Sequence, residues 1–470
     1  MSFLIYDIVF LILFATFLFV FLHSGKKNLK REGLLILYKA AWGIKLIDYI
    51  GKRFKRTFKV LSYVSVITGY ILMATMFYFL GKIVYIYITM PSLVKAIKVP
   101  PIMPLVPYID KVVPNLGLPS FYFTYFIVII AIIAISHEFA HGIFAAHNKV
   151  KVKSTGFGFF PFFLPIFLAA FVELDEKVMA KKKKFSQLAI LSAGTFANLL
   201  TAILFFGVLL IFFSLAFTPS GIIFNEFAYA PVAISTISSV NGISIENPNF
   251  EEFVSSLNKT GSNKVEAEGT KYIGVGFSTN NNEYVKLYHD APAINANLER
   301  IILKVNGVKI KSIDDLQKEL LKYSPGEKIS LNVLGNDGSD YNKDIVLGEN
   351  PKDKNLPWLG IGFSNQVRPG IIGKAYSTLA FKDPYVYYKP SFGASEFIYY
   401  LLWWTILISI SVALINMLPV GIFDGGRFFY LTVLGITKSE KMAKNLFAFS
   451  TYFILFLLFL LMSFWVISFF

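Results

Sequence analysis

Along this chain the apolar positions come in long unbroken blocks, not at the spacing of a surface helix or a half-buried strand. Six blocks stand out, at residues 3–22, 57–90, 121–146, 185–217, 396–420 and 445–470. Each approaches or exceeds the roughly 20 residues an α-helix needs to cross hydrocarbon. The second is long enough to tilt or to end in an interfacial piece. The first lacks a basic leader and a small-residue cleavage site, so it reads as a retained span and not as a signal peptide. From Pro219 to Ala394 the pattern changes to short alternating runs such as "KISLNVL", set among Asn, Ser, Gly, Lys, Asp and Glu. That is the pattern of a soluble, mostly β segment. The expected fold is a polytopic α-helical membrane protein of about six transmembrane helices, with a soluble mostly-β insert. Residues 1–218 form the first part of the membrane core, with four spans, and residues 395–470 form the second part, with two.

The insert repeats itself. "APVAISTISSVNGISI" from Ala230 matches "APAINANLERIILKVNGVKI" from Ala291 in its Ala-Pro start and its V-N-G-x-x-I end. Each is followed by a helical pattern, "FEEFVSSL" or "IDDLQKEL", and then by "YIGVGF" or "WLGIGF". Two unrelated hairpins with Asn-Gly turns would also give the middle landmark. The second unit resembles a PDZ domain, and the first resembles a shortened one. On that resemblance the insert divides into PDZ-like units at 219–277 and 278–394. Such domains bind extended peptide by adding it to a sheet edge, so a peptide or substrate tail is an expected partner.

Composition agrees with a membrane protein. The 470 residues are 55% hydrophobic and 17% aromatic, with a mean hydropathy of +0.58. The net charge of +15 would raise nucleic acid as a partner in a soluble domain. Here the basic residues sort by loop, at 26–56, 149–184 and 427–444. These are alternate loops, and the positive-inside rule makes all three cytoplasmic. Both termini and the insert then face the extracytoplasmic side, the lipid bilayer takes the place of nucleic acid as partner, and the expected location is the cell membrane of a prokaryote. The absence of cysteine excludes disulfides, thiolate ligands and cysteine nucleophiles. Residues 155–172 are apolar but broken by Gly156, Gly158, Pro161 and Pro165. A re-entrant β-hairpin fits this composition, and so does an interfacial loop that dips its Phe side chains.

"AIIAISHEFAHGIFAAH" places three ionisable groups in the third block. His137 and His141 are four residues apart, so on a helix they share a face. This is H-E-x-x-H, in which two neutral imidazoles bind zinc and Glu138 serves as the general base. An ionisable group at mid-membrane costs roughly 2.5–3.5 kcal/mol on insertion scales, so three together need partners. A catalytic zinc takes three protein ligands and keeps one position open. Asp424, in "INMLPVGIFDGGRFF", is the candidate third ligand, because Pro419, Gly421, Gly425 and Gly426 allow a kinked turn to approach a metal closely. An aspartate capping a helix after a turn is the alternative.

These motifs resemble the site-2 protease family of intramembrane zinc metalloproteases. The matching stretches are H-E-F-A-H at 137–141, G-T-F-A-N at 194–198 and N-M-L-P-x-x-x-F-D-G at 416–425, in the family's order. The insert suits the PDZ-containing bacterial and archaeal members. The resemblance implies one Zn²⁺ per chain on His137, His141 and Asp424, with Glu138 as catalytic base and membrane-spanning proteins as substrates in regulated intramembrane proteolysis. It nominates Asn198 for the substrate carbonyl or oxyanion, and Asn416 for substrate contact. It also makes residues 155–172 a re-entrant β-element. Thr195 stands where the family often has Pro, and Phe423 where it often has Leu. A prenyl-protein protease would take its third ligand from a downstream Glu motif that this sequence lacks. A transporter or peptide-binding scaffold would not need Glu138.

Overall fold

The computed structural model describes residues 3–24, 29–32, 35–92, 94, 100–101, 103, 105–112, 118–159, 168–246, 248–258, 262–276, 283–364 and 380–467. The chain divides into two compact units, one of Met1–Phe212 with Glu396–Phe470 and one of Phe213–Ser395.

Among the described residues six helices are long and apolar enough to cross a bilayer: α1 (Phe3–Ser24), α2 (Lys55–Thr89), α3 (Phe123–His147), α4 (Lys184–Ala216), α5 (Ser395–Ile415) and, beyond the shorter α6 (Asp424–Thr437), α7 (Glu440–Ile467). The fifth helix stops at Ile415, before the end of its apolar block. Residues 416–423 carry Pro419 and Gly421, which favour leaving the helix. They turn tightly, with Met417 N–H donating to Leu414 and Leu418 N–H to Ile415.

The first unit contains an antiparallel sheet in the order β1 (Leu29–Glu32), β2 (Leu35–Ala40), β3 (Val152–Phe159), β4 (Leu168–Leu174). The hairpin expected within 155–172 is present as β3 and β4, in register from Thr155 opposite Val172 to Phe159 opposite Leu168. Residues 160–167 lie outside the described residues. β1 and β2 come from the basic loop after α1, where no strand was expected. Gly156 permits their approach, since a Cβ there would lie 1.9 Å from the Tyr38 carbonyl oxygen. Across the sheet, the Ser154 hydroxyl (2.6 Å) and the Lys39 ammonium (3.0 Å) donate to Glu173. They hold its carboxyl below the ordinary range, Ser154 contributing most.

Asp7 anchors α1 to α3. Its side chain is 1% exposed. It accepts from Phe123 N–H (2.7 Å), Thr124 N–H (2.9 Å), the Thr124 hydroxyl (2.5 Å) and the Tyr108 hydroxyl (2.7 Å). Phe123 and Thr124 open α3, and their amides are among those a helix cannot satisfy itself. A carboxylate at that end also complements the helix dipole.

The insert contains two main sheets. The first has the order β6 (Tyr229–Ala233), β11 (Tyr284–His289), β10 (Thr270–Gly276), β9 (Lys264–Ala267), β7 (Ile237–Val240), β8 (Ile243–Ser244). The second has the order β15 (Asp340–Val346), β14 (Lys328–Leu334), β12 (Ile301–Val305), β5 (Phe217–Ile223), β16 (Val386–Pro390), with β13 (Val308–Lys309) paired to β12. Each sheet has its own core, around Phe253 and Leu287 in the first and Leu316 and Leu331 in the second.

Two hairpins of the insert share one kind of turn. Hairpins β7–β8 and β12–β13 turn on Asn241-Gly242 and Asn306-Gly307, all four with positive φ, as a type I′ turn requires. Each hairpin leads to a helix capped by a side chain, Asn249 before Phe250–Ser255 and Ser312 before Ile313–Leu320. The third landmark does not correspond. "YIGVG" lies in β10, whereas "WLGIG" follows β15, because a glycine-spaced run does not identify its strand. The first sheet also runs past residue 277 to His289, and the second takes β5 and β16 from the two ends of the insert.

Candidate metal centre

α3 carries the two histidines in its C-terminal half, after 14 mostly apolar residues. The four-residue spacing brings their rings to one face, with Nε2 atoms 3.1 Å apart. Asp424 arrives from the other side as the first residue of α6. Gly425 N–H donates to the Asn416 carbonyl at 2.7 Å, and this closes the turn. Side chains at Gly425 or Gly426 would overlap backbone, with a Cβ at 2.4 Å from the Met417 carbonyl carbon or 2.3 Å from the Val420 oxygen. The two glycines therefore let Asp424 reach the helix. Its Oδ2 lies 3.2 Å from His137 Nε2 and 3.2 Å from His141 Nε2.

This triangle fits a metal. Ligands at about 2.0–2.1 Å in tetrahedral array around zinc are separated by about 3.3 Å, close to the three spacings here. The outer bonds also fit. His141 Nδ1 lies 2.7 Å from the Ile190 carbonyl oxygen, so Nδ1–H donates there and Nε2 keeps its lone pair. His137 Nδ1 lies 3.0 Å from the side-chain amide of Asn198. A metal on His137 Nε2 would put the ring's proton on Nδ1, and Asn198 would then accept it through its amide oxygen. The structure has the amide nitrogen Nδ2 facing the ring, and turning the amide exchanges its two ends.

Gly194, one helical turn before Asn198, makes the closest approach. A Cβ at this position would lie 2.4 Å from His141 Nε2 and 2.5 Å from His137 Nε2. In the sequence Gly194 is one residue of the G-T-F-A-N stretch, with nothing there to mark its closeness to the histidines. Asp7, the lone aspartate in the first apolar block, is the signal in the sequence for the α1–α3 anchor.

Glu138, beside His137 on α3, reaches the sheet. Val172 N–H donates to its Oε2 at 2.8 Å. β4 is the last strand in its sheet among the described residues, so this bond ties the sheet's open side to Glu138. Beside it lies a cavity of about 670 Å³, lined by Phe17, Leu18, Ile130, Ala134, Phe171 and Glu138 itself. The six sequence candidates therefore separate. His137, His141 and Asp424 meet at one point. Glu138 flanks it, and Asn198, fully buried at 0% exposure, stands behind His137. Asn416 enters through its backbone carbonyl.

Two imidazoles of an H-E-x-x-H helix and a distant aspartate thus meet at one point, in a chain with helices long and apolar enough to cross a membrane. The chain belongs to peptidase family M50, the site-2 protease family, whose sequence profile matches residues 125–461. An uncharacterized protein of Methanocaldococcus jannaschii is 30% identical over 199 residues, covering 40% of this chain and 48% of that protein. The chain thus spans about half the length of that relative.

Proposed function

We propose that this chain is an intramembrane zinc endopeptidase that cleaves membrane-protein substrates in or near their transmembrane segments. The observation that carries the reading is the meeting of His137 Nε2, His141 Nε2 and Asp424 Oδ2 within 3.1–3.2 Å of one another. When bound, zinc supplies the Lewis acidity that activates water at neutral pH.

The protein's own groups supply the rest. Glu138 accepts the proton of the attacking water and returns it to the leaving amine. Ile190 and Asn198 hold the imidazoles in their tautomers, work that typically matters 10–100-fold in metal affinity. Asn198 is thus assigned to orienting His137 and not to the oxyanion. The apolar cavity beside Glu138 suits the side chains of a membrane segment. Its backbone, once unwound, would pair with the open side of β4, which offers main-chain hydrogen bonds where hydrocarbon offers none. The insert's two repeated units act as PDZ-like binders of peptide or of a trimmed substrate tail, on the extracytoplasmic side with both termini, as the basic loops require. The setting is regulated intramembrane proteolysis.

The test is metal-dependent cleavage. Purified protein should hold about one zinc per chain and cleave transmembrane peptides in liposomes. A chelator should stop cleavage and added zinc should restore it. Asp424→Ala should lose both metal and activity. Full zinc retention in that variant would remove Asp424 from the ligand set.

A further inference from the structure

Small side chains shape the cavity beside Glu138. It lies wholly within the first unit, between α1, the Glu138 face of α3 and the β3–β4 hairpin. Ile127, Ala131, Ala134 and Glu138 line it at spacings of four, three and four residues, which is one stripe along α3. Between Phe123 and Ser136 that helix has two alanines, and both line the cavity. Ala134 stands one turn before Glu138 and Ala131 two. The isoleucines that fill most of the same run would occupy this space. Ala170 lines the cavity from β4.

The larger walls are braced from behind. Phe157 stacks on Tyr38, with ring centroids 5.2 Å apart and planes 17° apart. Phe21 packs against the same tyrosine at 5.1 Å, and Phe14 against Phe123 at 5.7 Å. The space is therefore pre-formed, and its volume of about 670 Å³ lies within the roughly 300–1,000 Å³ of a ligand pocket. Its lining is apolar except at one point. Glu138 alone ionises among the described residues that line it, and the Thr155 hydroxyl is committed to the Trp42 carbonyl at 2.7 Å. A charged guest would meet only the group needed as base, and burying it without a partner is costly. An aromatic guest would meet the rings of Phe14, Phe17 and Phe157, which pair favourably with another ring.

Strand register supplies the direction. Thr155 opposes Val172 and Phe157 opposes Ala170, so these four side chains share one face of the sheet, and all four line the cavity. Val172 N–H donates to Glu138 at the open side of β4. A strand added there would set every second side chain on that same face, over the cavity.

We propose that this cavity is a specificity pocket, taking one large apolar side chain, aromatic in preference, from the substrate residue beside the scissile bond, and that Ala134 and Ala170 set its depth. The inference rests on the peptidase reading and adds to it which side chains are cut.

The test uses the full, zinc-loaded chain in liposomes and two transmembrane peptides that differ only in Phe or Ala beside the cleaved bond, mapped by mass spectrometry. One methylene in an apolar pocket is worth about 10–200-fold, so wild type should cleave the Phe peptide with a kcat/KM at least about tenfold higher. Ala134→Leu fills the pocket from α3 and Ala170→Leu from β4. Each should lower the Phe-to-Ala ratio by at least about tenfold. Val128→Leu, on α3 but outside the cavity lining, should keep the wild-type ratio. Binding of both peptides to Glu138→Gln, with and without Ala134→Leu, reads the pocket without cleavage and should shift in the same direction. A wild-type ratio near one, or an unchanged ratio in both filled variants, would overturn the pocket. Absence of cleavage with the binding preference intact would overturn the peptidase reading and support the pocket as a binding site.

Discussion

Gly194→Ala adds one methyl group and should remove the metal. The structure gives the scale. The new Cβ would stand 2.4 Å from His141 Nε2, 2.5 Å from His137 Nε2 and 2.6 Å from His137 Cε1. Ordinary contact begins at 3.4 Å, so the imidazoles or the helix must move by about 1 Å. A metal site tolerates displacements of about 0.2 Å in ligand distance, and a misplacement of 1 Å at a reacting centre costs about a hundredfold. Neither ring can retreat freely, because Ile190 and Asn198 hold their outer nitrogens. Zinc affinity and cleavage rate should each fall by about a hundredfold or more. Gly207 lies on the same helix, and a Cβ there would meet nothing within 4 Å. Gly207→Ala is thus the matched control and should behave as wild type. The assay is metal content by elemental mass spectrometry after dialysis against a zinc buffer, with cleavage measured on the same preparations. Wild-type zinc content in Gly194→Ala would refute the packing described for α4 against the histidines.

Asn198→Ala should weaken zinc binding by about 10–100-fold, the usual worth of a residue holding a ligand's far nitrogen. Unchanged affinity with a slowed reaction would return Asn198 to the substrate side of the site. Asp7→Ala should strand the Phe123 and Thr124 amides, each worth about 1–3 kcal/mol when left unsatisfied in a buried place. Thermal unfolding in detergent should then show a destabilisation of about 2–6 kcal/mol, and a change under about 1 kcal/mol would mean that α1 is not anchored there.

The six spans were legible because hydrocarbon leaves a chain little choice, so apolar length alone marks them. H-E-x-x-H was legible because its spacing is local. The third ligand could be nominated but not placed: Asp424 lies 283 residues from His141, and no periodicity links them. What brings them together is the close approach permitted by Gly425 and Gly426, whose place beside Asp424 the sequence shows, and by Gly194, whose closeness to the histidines no spacing along the chain records. β1 and β2 were hidden for a different reason. "LKRE" and "LILYKA" are short, the first is highly charged, and their strand character depends on pairing with β3. In the insert the Asn-Gly turns were readable because two successive positive φ angles restrict residue choice. The strand order was not, since β5 and β16 are separated by most of the insert.

The central claim is that Glu138 performs proton transfer beside a metal it does not hold. Glu138→Gln keeps the size of the side chain and removes the base. Wild type and variant should be compared at equal, measured zinc content, in single-turnover cleavage of a transmembrane peptide in liposomes. The account predicts one zinc per chain in both, with cleavage by the variant slower by about 10²–10⁴. Wild-type cleavage by zinc-loaded Glu138→Gln would contradict it.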